Sequence, residues 1–157
     1  MMDVHSKVLC YAANAEALVG SGLPRSTGKN EKMPQKRVLI VAEPGPLRDG
    51  LQALVGAVPR VRPVEHDDVE SALRNGKRRG EVALVLLDVS LVGDGVEAAL
   101  LSMKGKWPQA RYIALADDAR QHHSAAMAGA DTVVMKGFRP SRLVEIIVRL
   151  LPPARSG

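Results

Sequence analysis

Residues 82–88 read VALVLLD, an apolar run of strand length that stops at a carboxylate. A short, continuous run of Val and Leu describes a strand buried on both faces, the pattern of a parallel sheet covered by helices. A second run, Thr132–Met135 (TVVM), stops just as abruptly at Lys136. In open α/β sheets, ligands bind beyond the carboxyl ends of the strands. The chain therefore places an acid, Asp88, and a cation, Lys136, where such a sheet does its chemistry.

From Arg37 onward, strand and helix patterns alternate along the chain. Arg37–Val41 (RVLIV) reads as a buried strand, followed by Leu47, Leu51, Leu54, Val55 and Val58 at helical spacing. Val61–Val64 is expected to form a short second strand, with Pro63 placing it at a sheet edge. Asp67 and Glu70 form an expected capping pair for a helix that turns Val69, Ala72 and Leu73 inward. The 82–88 strand follows. Asp94 and Glu97 form a second expected cap, for a helix carrying Val96, Leu100 and Met103. Arg111–Ala116 is the fourth strand, and 118–128 an Ala-rich helix stopped by Gly129. After the 132–135 strand, Pro140 opens a last helix with Leu143, Ile146, Ile147, Leu150 and Leu151 on one stripe, ended by Pro152 and Pro153. Short links between alternating elements predict an α/β fold with helices on both faces of a parallel sheet.

Several side chains invite a functional reading that the pattern does not favour. Met103, Met127 and Met135 are expected on core faces, and Trp107 as a loop anchor. His122 and His123 diverge by about 100° on a helix and cannot chelate one metal. Gly22–Asn30 (GLPRSTGKN) is a poor match to a phosphate-binding loop: its glycines are spaced too far apart, Asn30 replaces the hydroxyl residue, and no strand precedes it.

Composition narrows the function classes. Aromatics are 3% of the 157 residues, which disfavours the base-stacking platforms of single-strand binders. The formal charge of +5 is spread out apart from Lys77, Arg78 and Arg79, which read as a solvated helix end. Nucleic acid is therefore not the expected partner. One cysteine, Cys10, excludes an internal disulfide framework, and no apolar run is long enough for a membrane span. A cytoplasmic location is expected. Residues 1–35, rich in Gly, Ser, Pro, Asn and Lys toward their end, are expected to be a flexible extension to a domain at 36–152, with 153–157 as a short tail.

The chain from Lys36 to Leu151 resembles the receiver domains of bacterial two-component response regulators, closest to the branch usually joined to a helix-turn-helix output domain. VLIVAEPGPLRDGLQAL (38–54) tracks the family's first strand and helix. VALVLLDVSLVGDGVEAA tracks its third strand, aspartate and following loop, and AGADTVVMKG its fifth strand and lysine. The resemblance implies a flavodoxin-like, doubly wound five-stranded parallel sheet in the order 2-1-3-4-5.

It also implies a site. Asp88 aligns with the phosphoacceptor that takes a phosphoryl group from a histidine kinase or phosphotransfer protein. Lys136 aligns with the lysine that contacts the phosphoryl oxygens, and Glu43 with Asp88 would hold Mg²⁺. Other positions depart from the family. Ala42 replaces a carboxylate and so weakens the Mg²⁺ site, and Ala116 replaces a Ser or Thr. Val133 takes the aromatic switch position, Val92 replaces the usual proline, and Asp117 brings an extra charge to the loop after strand four. The expected function is therefore a non-enzymatic receiver in a phosphorelay, acting through protein–protein contact with a partner or a second copy. The alternative is a pseudo-receiver that binds its partner without phosphorylation, and a nucleotide- or flavin-binding protein is less favoured. Only residues 152–157 follow Leu151, so the output is expected from a partner rather than from a module of this stretch.

Overall fold

A computed structural model describes residues 35–75 and 82–151 of the protein. The five apolar runs become five strands: β1 (Lys36–Val41), β2 (Val61–His66), β3 (Val82–Asp88), β4 (Arg111–Ala116) and β5 (Thr132–Met135). All neighbouring pairs are parallel, and the strands lie in the order β2-β1-β3-β4-β5. The helices are α1 (Pro46–Gly56), α2 (Val69–Asn75), α3 (Val96–Lys106), α4 (Ala119–Met127) and α5 (Pro140–Leu150). This is the doubly wound arrangement that the alternation and the resemblance predict. The expected 1–35 extension, the 153–157 tail, the Lys77–Arg79 cluster, Cys10 and the two prolines after Leu151 lie outside the described residues, apart from residue 35.

Strand periodicity divides the core into two layers. Val38, Ile40, Leu84, Leu86, Ile113 and Leu115 face one side and pack with Leu51, Val55, Leu143, Val144 and Ile147 of α1 and α5. The alternate residues Leu39, Val41, Val85, Leu87, Tyr112 and Ala114 face the other, against Ala72, Leu100, Met103 and Ala125 of α2, α3 and α4. Successive strand residues point to opposite faces, so a central strand must be apolar at every position to bury both. This explains why VALVLLD carries no polar residue before its last position.

Local chemistry sets the element ends. Pro46 starts α1, where its missing N–H costs nothing. Asp118 caps α4 by accepting from Gln121 N at 2.8 Å. Gly129 closes the following turn at φ +100°, a conformation that side chains resist. A Cβ there would also stand 2.8 Å from Lys104 Nζ, which donates to the Gly129 carbonyl. Trp107, 9% exposed, anchors the α3–β4 loop as expected, and its carbonyl accepts from the Tyr112 hydroxyl.

Four sequence expectations need correction. The cap of α2 is Asp68, accepting from Ser71 N at 2.7 Å, because the neighbouring Asp67 is drawn to Arg48. Asp94 and Glu97 make no cap: Gly93–Gly95 forms a 3₁₀ turn that leads into α3 from Gly95, without a side-chain bond. Met127 and Met135 are 73% and 40% exposed; α4 turns its end outward and β5 lies at the sheet edge. Strand β2 runs on to His66 instead of stopping at Val64, because it stays paired with β1 as far as Val41.

Candidate functional site

Three strand ends build the site. Asp88 is the last residue of β3, and its Oδ1 accepts from Ser90 N at 3.0 Å, capping the 3₁₀ turn Val89–Leu91. Among the described residues it is the only charged side chain in the buried class, at 7% exposure. A charge taken that far from water requires a partner. Lys136 supplies one, with Nζ 2.6 Å from Asp88 Oδ1. The lysine is carried into place by backbone pairing, since Ala116 and Met135 are in register and Lys136 N donates to the Ala116 carbonyl at 2.8 Å.

Asp117 completes the cluster. Its Oδ1 lies 3.0 Å from Lys136 Nζ, and its Oδ2 accepts from the Ser90 hydroxyl, which itself accepts from Lys136 Nζ at 3.1 Å. The loop is held from behind as well, because Asp117 N donates to Gln121 Oε1 at 2.7 Å, in the first turn of α4. Two carboxylates therefore share one ammonium, with a serine bridging them.

The electrostatics follow from these contacts. The hydrogen bond from Ser90, then that from Lys136, hold the Asp117 carboxyl below its ordinary range. Burial alone would lower the Lys136 ammonium, but its bonds to Asp88 and Asp117 outweigh it and raise the group above its usual value. Asp117 and Lys136 are therefore both charged at neutral pH.

The positions that depart from the family pattern are also visible. Ala116 and Ala42 are 0% and 1% exposed and present only methyl groups, so neither donates to an oxyanion. Val133 is half-buried against the α3–α4 layer. Glu43 is exposed and makes no hydrogen bond or ion pair with a described residue, and no three His, Cys, Asp or Glu side chains among the described residues gather around a metal position. Mg²⁺ asks for octahedral oxygen ligands, usually with one or two carboxylates free to bind it. Here Asp88 and Asp117 are both engaged by Lys136, so this donor set does not fit a tightly held Mg²⁺.

A second polar cluster sits at the carboxyl ends of β1 and β2, on the same end of the sheet. Arg48 in α1 pairs with Asp67, donates to the Ala42 carbonyl at 3.2 Å, and lies 3.8 Å from Glu65 Oε1. It ties α1 to the ends of β1 and β2. Burial there also lowers the pKa of His66, against the pull of Asp67 and Asp68. His122 and His123 are exposed on α4.

Sequence reasoning singled out Asp88, Lys136 and Glu43. The structure brings the first two together and leaves Glu43 apart from any bonded partner among the described residues. Sequence reasoning passed over Ser90 and Arg48, and read Asp117 as an extra charge in the loop after strand four. Ser90 carried one usable signal: it stands two residues after a strand-end aspartate, the spacing at which a backbone N–H closes an Asx turn.

No protein-family model and no curated protein matches the chain. Solved structures do. A LuxR family DNA-binding response regulator from Silicibacter pomeroyi is similar at 26% identity and TM-score 0.62, over 73% of this chain and 90% of that one. A response regulator from Thermotoga maritima is similar at 17% identity and TM-score 0.63, over 74% and 97%. A CheY-like protein from Pseudomonas aeruginosa is similar at 20% identity and TM-score 0.58, over 74% and 99%. The strand order, the two-layered core and these likenesses agree: the described residues have the fold of response-regulator receiver domains.

Proposed function

We propose that this domain signals in the cytoplasm by contact with a protein partner, in a state that requires no phosphoryl group on Asp88. The observation that carries this reading is the Asp117 carboxylate, seated on Lys136 Nζ at 3.0 Å and on the Ser90 hydroxyl. A phosphoryl group on Asp88 would add about 1.5 to 2 negative charges. Those charges would stand beside Asp117 with Lys136 alone to offset them. Ala42 and Ala116 add no donor or ligand, and the carboxylates do not suit Mg²⁺. The fold presents a partner with loops whose positions are already fixed by the ion cluster.

One observation favours a second reading, the phosphorelay receiver with Asp88 as phosphoacceptor for a histidine kinase or phosphotransfer protein. Asp88 and Lys136 are both kept, 2.6 Å apart, at the ends of the strands where that chemistry takes place.

One experiment separates the two. The protein is incubated with acetyl phosphate, and separately with phosphoramidate, each with and without Mg²⁺, and its intact mass is read beside Asp88→Asn. The expected result is no phosphoryl adduct with either donor. A stoichiometric adduct that disappears in Asp88→Asn would overturn the proposal and establish the phosphoacceptor.

A further inference from the structure

Lys136 has three ammonium protons, and the structure accounts for all of them. They reach Asp88 Oδ1 at 2.6 Å, Asp117 Oδ1 at 3.0 Å and Ser90 Oγ at 3.1 Å. The single proton of Ser90 goes to Asp117 Oδ2. Asp117 therefore lays one oxygen on each of two donors, a lysine ammonium and a serine hydroxyl. That is how two oxygens of a bound tetrahedral oxyanion would lie. The loop behind it is pinned: Asp117 N is held by Gln121, and Asp118 caps the same helix turn. A carboxylate delivered on a fixed backbone costs no translational freedom on binding, so it outcompetes a free anion of similar charge. The Asp117 side chain is 48% exposed, so the place it fills opens to solvent.

We infer that Lys136 and Ser90 form an oxyanion site that the chain closes with its own carboxylate, Asp117, and that removing this carboxylate opens the site to a free tetrahedral oxyanion. The inference deepens the proposed function and rests on it, because a pocket filled from within explains why the domain needs no phosphoryl group. Ser90 is part of the site on geometry alone; its contact partners lie 27 and 46 residues away along the chain. Asp88 shares the Lys136 ammonium and repels any incoming anion, so the test is made with that charge neutralised in every arm.

Inorganic phosphate is titrated into the full chain carrying Asp88→Asn, and into the same chain with Asp117→Ala added, following amide and lysine side-chain resonances. The double variant should bind phosphate saturably, at least about tenfold tighter than Asp88→Asn alone, the scale expected when charge-assisted hydrogen bonds are released to a ligand. The shifts should centre on Ser90 and Lys136, and adding Lys136→Met should abolish them. Asp117→Asn in place of Asp117→Ala keeps the shape and removes the charge, and should bind with intermediate strength. Equal affinity with and without the Asp117 carboxylate, in variants whose amide spectra show the native fold, would overturn the inference. A phosphoryl adduct on Asp88 of the wild-type protein bears on the proposed function alone, because it is read by mass rather than by free phosphate.

Discussion

Replacing Lys136 by Met tests whether the ion cluster holds this end of the sheet together. Methionine keeps the length and apolar stem of lysine and removes only the ammonium. Asp88, 7% exposed, would then keep Ser90 N as its one remaining donor. Removing one partner of a fully buried ion pair costs about 3–5 kcal/mol, because the other charge is left uncompensated. Lys136 is 22% exposed, so water reaches the vacated place and relaxes part of that penalty. The expected loss is about 2 kcal/mol, which for a domain of this size lowers Tm by roughly 10 °C. Adding Asp88→Asn removes the stranded charge, so the double variant should regain about 1 kcal/mol relative to Lys136→Met alone. Urea unfolding followed by circular dichroism measures all four members of the cycle, with m unchanged as the check that compactness is preserved. The coupling should largely survive high salt, because a partly buried pair is weakly screened. Two results would refute the reasoning: a Lys136→Met variant within about 0.5 kcal/mol of wild type, or a double variant whose loss equals the sum of the singles.

Tyr112→Phe should cost about 1–3 kcal/mol, because it leaves the buried carbonyls of Met103 and Trp107 without the hydroxyl they share, read again by urea unfolding. The same variant carries a pH signature. Burial, then Asp131, raise the Tyr112 pKa well above its ordinary value, so its contribution is complete below about pH 10 and falls as pH rises further. Lys136, also raised, loses stability in the same alkaline direction, so Tyr112→Phe should flatten only part of the alkaline slope. Asp118→Ala removes the cap of α4 and should lower stability by about 1 kcal/mol, with faster amide exchange confined to the first turn of that helix.

The fold was legible because its signal is local and repeated. Val38 and Ile40 face one helical layer and Leu39 and Val41 the other, so a strand between two layers must be apolar throughout, and the run of letters says so directly. Asp88 and Lys136 were legible for a related reason: each is the first charge after such a run. What stayed hidden was decided by tertiary contact. Asp67 and Asp68 are adjacent and equally able to cap α2, and only the position of Arg48, nineteen residues earlier, takes one of them away. Ser90 and Asp117 became site residues because the loops after β3 and β4 meet, a contact for which sequence spacing holds no period. Met127 and Met135 fell on the expected apolar spacing, but their elements border the fold, where that spacing no longer implies a covered face.

Both outer strands of the sheet are poor templates for another chain. Strand β2 pairs only with β1 and carries Pro63, which has no N–H to offer an approaching backbone. Strand β5, at the other border, is four residues long. Short edges and edge prolines are how soluble sheets resist uncontrolled growth into larger sheets. Recognition of this domain is thus steered away from main-chain zippering, which accepts many sequences, toward side chains on helices and loops, which discriminate among them. A peptide added as an extra strand should find no seat here, and selectivity for a partner would be written in the residues around the carboxyl ends of the strands.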